Sequence, residues 1–74
     1  MQVSHASKYE TVLDVARKCN AYHVSFQHHT FVSFDRSQDA EKFLKDIKNE
    51  GFLTLGEVNT QRPYTPFEVI ICRW

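Results

Sequence analysis

Apolar residues fall at helical spacing in two stretches of this chain and at alternate positions in the segments between and after them. Tyr9, Val12, Leu13 and Ala16 recur with the period of an amphipathic helix. Ser7-Lys8-Tyr9-Glu10 just before them matches a capping box, with Ser7 at the N-cap and Glu10 reaching back. Arg17 and Lys18 suit the negative end of the helix dipole, and Asn20 is an acceptable stop. The spacing predicts a helix over 8–19. Tyr22, Val24 and Phe26 then alternate with His23, Ser25 and Gln27, the pattern of a half-buried strand. A turn at His28-His29-Thr30 leads into a returning strand, Phe31-Val32-Ser33-Phe34. Ser37 is the expected cap of a second helix over 37–50, with Asp39 and Glu41 in its first turn and Ala40, Phe43, Leu44 and Ile47 as its stripe. Gly51 ends that helix in a left-handed conformation. Leu53 and Leu55 belong to the next strand, where Gly56 invites a bulge. A polar loop with two prolines, 59–66, precedes the last and most apolar strand, 67–72.

The order helix, strand, strand, helix, strand, strand predicts an α+β two-layer sandwich, with two helices on one face of a four-stranded antiparallel sheet. The familiar arrangement with those parts is the ferredoxin-like fold, whose order is βαββαβ. Here its first strand is weak, at most residues 1–4, and an extra strand stands at the end. The last segment is apolar on both faces and suits an inner slot. A circularly permuted ferredoxin-like sheet is therefore expected, with spatial order 52–58, 67–73, 30–35, 22–28. The competing version keeps residues 1–4 in the centre and puts the last strand on an edge. Alternation places Val24, Phe26, Val32, Phe34, Leu53, Leu55, Phe67, Val69 and Ile71 under the helices. It sends Phe31, Ser33, Ile70, Cys72 and Trp74 to the open face, with His23, Ser25, Gln27, Thr54 and Val58 at its rim.

Composition narrows the function classes. Seventy-four residues make one domain, and such a chain buries only about 60% of its unfolded surface, so self-association would add stability. A hydrophobic share of 42% supports a core and argues against disorder. Nine Lys and Arg balance nine Asp and Glu, which removes the electrostatic footprint of a nucleic-acid binder. Cys19 and Cys72 are too few for a disulfide framework and are expected as free thiols in a cytoplasmic protein. Neither a signal pattern nor an apolar run long enough to span a membrane is expected.

Phe31-Val32-Ser33-Phe34, followed by Asp35, Ser37 and Asp39-Ala40-Glu41-Lys42-Phe43-Leu44, resembles a degenerate RNA-recognition motif over residues 22–55. These residues look like the end of that family's RNP1 strand and its second helix. The resemblance implies a ferredoxin-like fold and a sheet platform on which RNA bases stack. RNP1 normally opens with a cation, Gly and an aromatic, whereas Gln27, His28 and His29 stand there. The RNP2 counterpart would be Met1-Gln2-Val3-Ser4-His5-Ala6, with Gln2 replacing the second stacking ring. Most of the rings and cations that RNA binding needs are missing.

Other chemistry is sparse. His23, His28 and His29 with either cysteine fit no standard zinc spacing. His28 or His29 could serve an RNase as acid or base, but no second catalytic group or phosphate site accompanies them. Neither a cofactor nor a metal is expected. The stiffened loop Arg62-Pro63-Tyr64-Thr65-Pro66 is a candidate recognition tip. The expected partner-binding residues are Phe31, Ile70, Cys72, Trp74, Tyr64 and Arg62. Together these readings favour a small non-enzymatic protein-binding module, an inhibitor or adaptor of the kind phages and mobile elements encode, acting on another protein or on itself as a homodimer. An RNA-binding module is the second reading and a small toxin-like RNase the third.

Overall fold

The computed structural model describes residues 7–74. The first helix, α1 (Lys8–Lys18), starts where the capping box predicts. The Glu10 amide donates to the Ser7 hydroxyl at 3.1 Å, and the Ser7 amide donates to the Glu10 carboxylate at 3.3 Å. Its far end closes on Asn20, which takes a left-handed φ of 62°. The amides of Asn20 and Ala21 then donate back to the carbonyls of Arg17 and Ala16, so the last turn is satisfied. The buried side chains are Val12, Ala16 and Cys19, with Val15 packed beside them. Leu13 is exposed, contrary to the expected stripe. One residue turns a helix by about 100°, so a stripe centred on Val12, Ala16 and Cys19 carries Leu13 around to solvent.

The second helix, α2 (Ser37–Asn49), differs from expectation at its start. Arg36 is the N-cap, with extended backbone, and no side chain caps the helix. Ser37 is the first helical residue, and its hydroxyl donates to the Glu41 carboxylate at 3.3 Å. The other end is as expected. Gly51 has φ 95°, and the amides of Gly51 and Phe52 donate to the carbonyls of Lys48 and Ile47. Ala40, Phe43 and Ile47 are buried. Among the described residues no helix is long and apolar enough to cross a membrane.

Among the described residues, four strands, β1 (His23–Phe26), β2 (Thr30–Phe34), β3 (Thr54–Asn59) and β4 (Phe67–Ile71), form one antiparallel sheet in the order β1-β2-β4-β3. This is the expected spatial order, and it is compatible with a permuted ferredoxin-like sheet. Because β4 bonds directly to β2, it occupies an inner slot and not the edge that the competing version gives it. Residues 1–4, the centre strand of that version, lie outside the described residues, as does the RNP2 counterpart. Val32 pairs with Val69 and Phe34 with Phe67. Val32, Phe34, Val69 and Ile71 form the sheet's half of the core, against Val12, Ala16, Phe43 and Ile47 of the helices. Phe34 and Phe43 meet with ring centroids 5.3 Å apart.

The largest departure lies on β3. Leu53 and Leu55, expected under the helices, are 77% and 60% exposed. The cause is a bulge: Thr54 pairs with Ile71, but Gly56 already pairs with Ile70. Gly56 sits at φ 102°, a conformation that side chains with a Cβ rarely adopt. One extra residue inverts the alternation, so Thr54 and Glu57 oppose the core residues Ile71 and Val69. Glu57 is thereby brought toward α2. Burial, with the Glu41 carboxylate adding repulsion, raises its pKa above the ordinary carboxylate range.

Three substitutions test this packing. Phe43→Ala should lose about 3–5 kcal/mol in denaturant unfolding. Leu55→Ala should stay within about 0.5 kcal/mol of the parent, since it removes only exposed surface. Glu57 is easier to protonate in the folded than in the unfolded chain, so its ionisation opposes folding. That cost is present above its folded pKa and disappears as pH falls below the unfolded value. Glu57→Gln should accordingly raise Tm at neutral pH, and the gain should vanish on acidification through the carboxylate range; a gain unchanged by pH would contradict this account.

Candidate functional site

The helices cover one face of the sheet, and the register orders the other. Two rows of residues cross the open face: Ser25, Phe31, Ile70 and Gly56 in one, and His23, Ser33, Glu68 and Val58 in the next. Phe31 and Ile70 stand half-buried at the centre of the face. Cys72 is also half-buried, its amide bonded to the Leu53 carbonyl at 2.9 Å, which sets both residues at one end. Leu53 and Leu55, freed by the bulge, join Val58 in an exposed apolar border along β3. Gly56 adds no side chain beside Ile70, and the space where a Cβ would stand is open.

The loop between β3 and β4 bends back toward this face. Thr60 ties its base: the amide donates to the Pro66 carbonyl at 2.6 Å and the hydroxyl to the Thr65 carbonyl at 3.0 Å. Gln61 holds a left-handed φ of 61°, with its amide donating to the Asn59 side chain at 2.8 Å. The Arg62 amide donates to the Thr60 hydroxyl at 3.3 Å. These bonds aim the Arg62 guanidinium at Glu68, with Nη1 3.5 Å from Oε2. Tyr64 projects from the tip and is 76% exposed.

Of the six expected partner-binding residues, Phe31, Ile70 and Cys72 share the open face, Arg62 reaches it through Glu68, and Tyr64 stands at the loop tip. Trp74 does not join them. Its ring lies 5.1 Å from Tyr9 of α1 and 5.3 Å from Phe52, both edge-on. Tyr9 in turn meets Phe26 at 5.0 Å, so these rings form a chain at one end of the helix layer. The expectation failed because β4 ends at Ile71, and alternation has no hold beyond it. The Arg73 amide donates to Nδ1 of His29 at 3.2 Å, which steers the tail that way. Sequence reasoning missed Leu53 and Leu55, which it buried, and Glu68, which it did not weigh. The signal for the leucines was present in Gly56; its effect on phase had to be carried through the strand.

Charge on the face is sparse and balanced. Arg62 is engaged with Glu68, and the Ser33 hydroxyl donates to the same carboxylate oxygen at 3.4 Å. Among the described residues, this face gathers no group of free cations of the kind that a phosphate backbone needs. The salt bridges of Asp14 with Arg17 and Lys18, and of Lys42 with Asp46, lie on the helices. Among the described residues, no three His, Cys, Asp or Glu side chains are grouped to hold a metal. No family model, curated protein or solved structure matches this chain.

The two thiols occupy different environments. Cys19 is buried in the core, and its Sγ donates to the Asp46 carboxylate at 3.6 Å. Burial pushes its pKa up, with Asp46 adding to the shift and Lys42 opposing it. Cys72 lies partly open on the sheet face. A thiol reagent at neutral pH should modify one cysteine quickly in the folded protein, and Cys72→Ser should abolish that phase. Cys19 should react only on unfolding; reaction of both at one rate would contradict the assignment.

Proposed function

We propose that this chain is a non-enzymatic protein-binding module that docks through the open face of its sheet. The observation that carries this reading is the exposed border of Leu53, Leu55 and Val58 beside Phe31 and Ile70. An apolar centre with a polar rim and little net charge fits a protein contact. The tied loop with Tyr64 at its tip adds a rigid aromatic at one side, a residue type favoured at interface hot spots. An inhibitor or adaptor need only occupy a partner's surface, which one such face provides. Two free thiols suit a cytoplasmic setting.

The test is capture of complexes from the producing cells, with the mass of the purified protein measured alongside. Leu55→Asp and Phe31→Asp should each weaken the complex more than about tenfold, because docking would bury a charge without a partner. Lys45→Asp on α2 should leave it intact. Loss of a self-associated species in the same two variants would identify a second copy as the partner. Folded Leu55→Asp and Phe31→Asp proteins that keep every interaction of the parent would overturn the docking reading, as would binding confined to RNA and weakened steeply by salt.

A further inference from the structure

Glu68 is a carboxylate in the middle of an inner strand, and it is only 8% exposed. A buried charge needs compensation from pairing and hydrogen bonds. Yet both of its contacts fall on one oxygen: the Ser33 hydroxyl at 3.4 Å and Arg62 Nη1 at 3.5 Å both reach Oε2. Both are long for charge-assisted bonds, which run at about 2.7–2.9 Å for a guanidinium. Among the described residues nothing donates to Oε1. The carboxylate lines an open recess of about 290 Å³ whose walls include Ser25, Gln27, Phe31 and Ser33. One N–H of the Gln27 side-chain amide donates to the Ser25 hydroxyl at 2.9 Å, and the side-chain carbonyl oxygen is left to accept. Phe31 adds an aromatic ring, whose face attracts cations. An underused carboxylate, a carbonyl oxygen and a ring around one recess are the chemistry of a cation site.

We infer that this recess takes a basic side chain, a guanidinium or ammonium, presented by the docked protein. The inference rests on the docking reading and adds the chemistry of the anchor. Arg62 holds the mouth: its side chain is 60% exposed and makes one long contact, so it yields to a closer donor. The incoming cation would bond Oε1 and displace water, while the apolar border along β3 receives the residues beside it. Arg62 therefore competes with the partner, and removing it should tighten binding. A purely structural salt bridge would give no such gain.

The probe is acetyl-leucyl-arginyl-leucine amide, titrated into isotope-labelled protein and followed by NMR, with the isosteric but uncharged citrulline peptide as its control. The arginine peptide should shift the amides of Phe31, Ser33 and Glu68 and bind at least about tenfold more tightly than the citrulline peptide. Glu68→Gln should remove that preference, and Arg62→Ala should strengthen it. Should Glu68→Gln fail to fold, the citrulline comparison and Arg62→Ala decide the matter. Equal binding of the two peptides, both lost in Leu55→Asp, would overturn the cation anchor and leave the docking face standing. No shift with either peptide at millimolar concentration would also overturn the anchor, and the captured complex alone would then judge the docking reading.

Discussion

The pairing of Val32 with Val69, buried under the helices with Phe43 and Ile47, holds this molecule together. It sets β4 beside β2, and the order of the whole sheet follows from that placement. Once those valines face inward, Phe31, Ser33, Glu68 and Ile70 must face outward, because successive side chains on a strand point to opposite sides. A core built around that pair thus decides which way the neighbouring residues on each strand face. In a chain of 74 residues there is little other apolar mass to compensate if the inner strands shift.

Most of the architecture was legible in the sequence, and the reasons are physical. The Ser7 capping box, the burial of Val12 and Ala16 and of Ala40, Phe43 and Ile47, and the alternation of 30–34 are local signals that no distant contact had to correct. The inner position of β4 was legible as well, because a strand apolar on both faces needs cover on both. What failed were places where a periodic rule met an interruption. Leu53 and Leu55 followed the alternation of an unbroken strand, while Gly56 breaks it. Trp74 was extrapolated past the last paired residue, where the tail is free to find Tyr9 and Phe52. Leu13 and Ser37 were misplaced by one helical step each. The contact between Arg62 and Glu68 had no sequence signal at all, since a folded loop is what brings the two side chains together.

The open face is neutral more by cancellation than by lack of charge. Arg62 and Glu68 neutralise one another at the polar side, while the permanent charges of the helices lie on the opposite layer. The face therefore offers little long-range electrostatic attraction, and its chemistry is that of apolar area and short-range hydrogen bonding. The fold by itself does not select a class of ligand, because fold and site vary independently.

The bulge at Gly56 has a second consequence, for growth of the sheet. An exposed edge strand invites another chain to pair with its free amides and carbonyls, the usual route to runaway aggregation. Here the β3 edge is broken by an extra residue, and the opposite edge, β1, is only four residues long. Neither side offers a long, flat template. A bulged β3 edge and a short β1 edge both reduce the template that the exposed Leu53 and Leu55 would otherwise accompany.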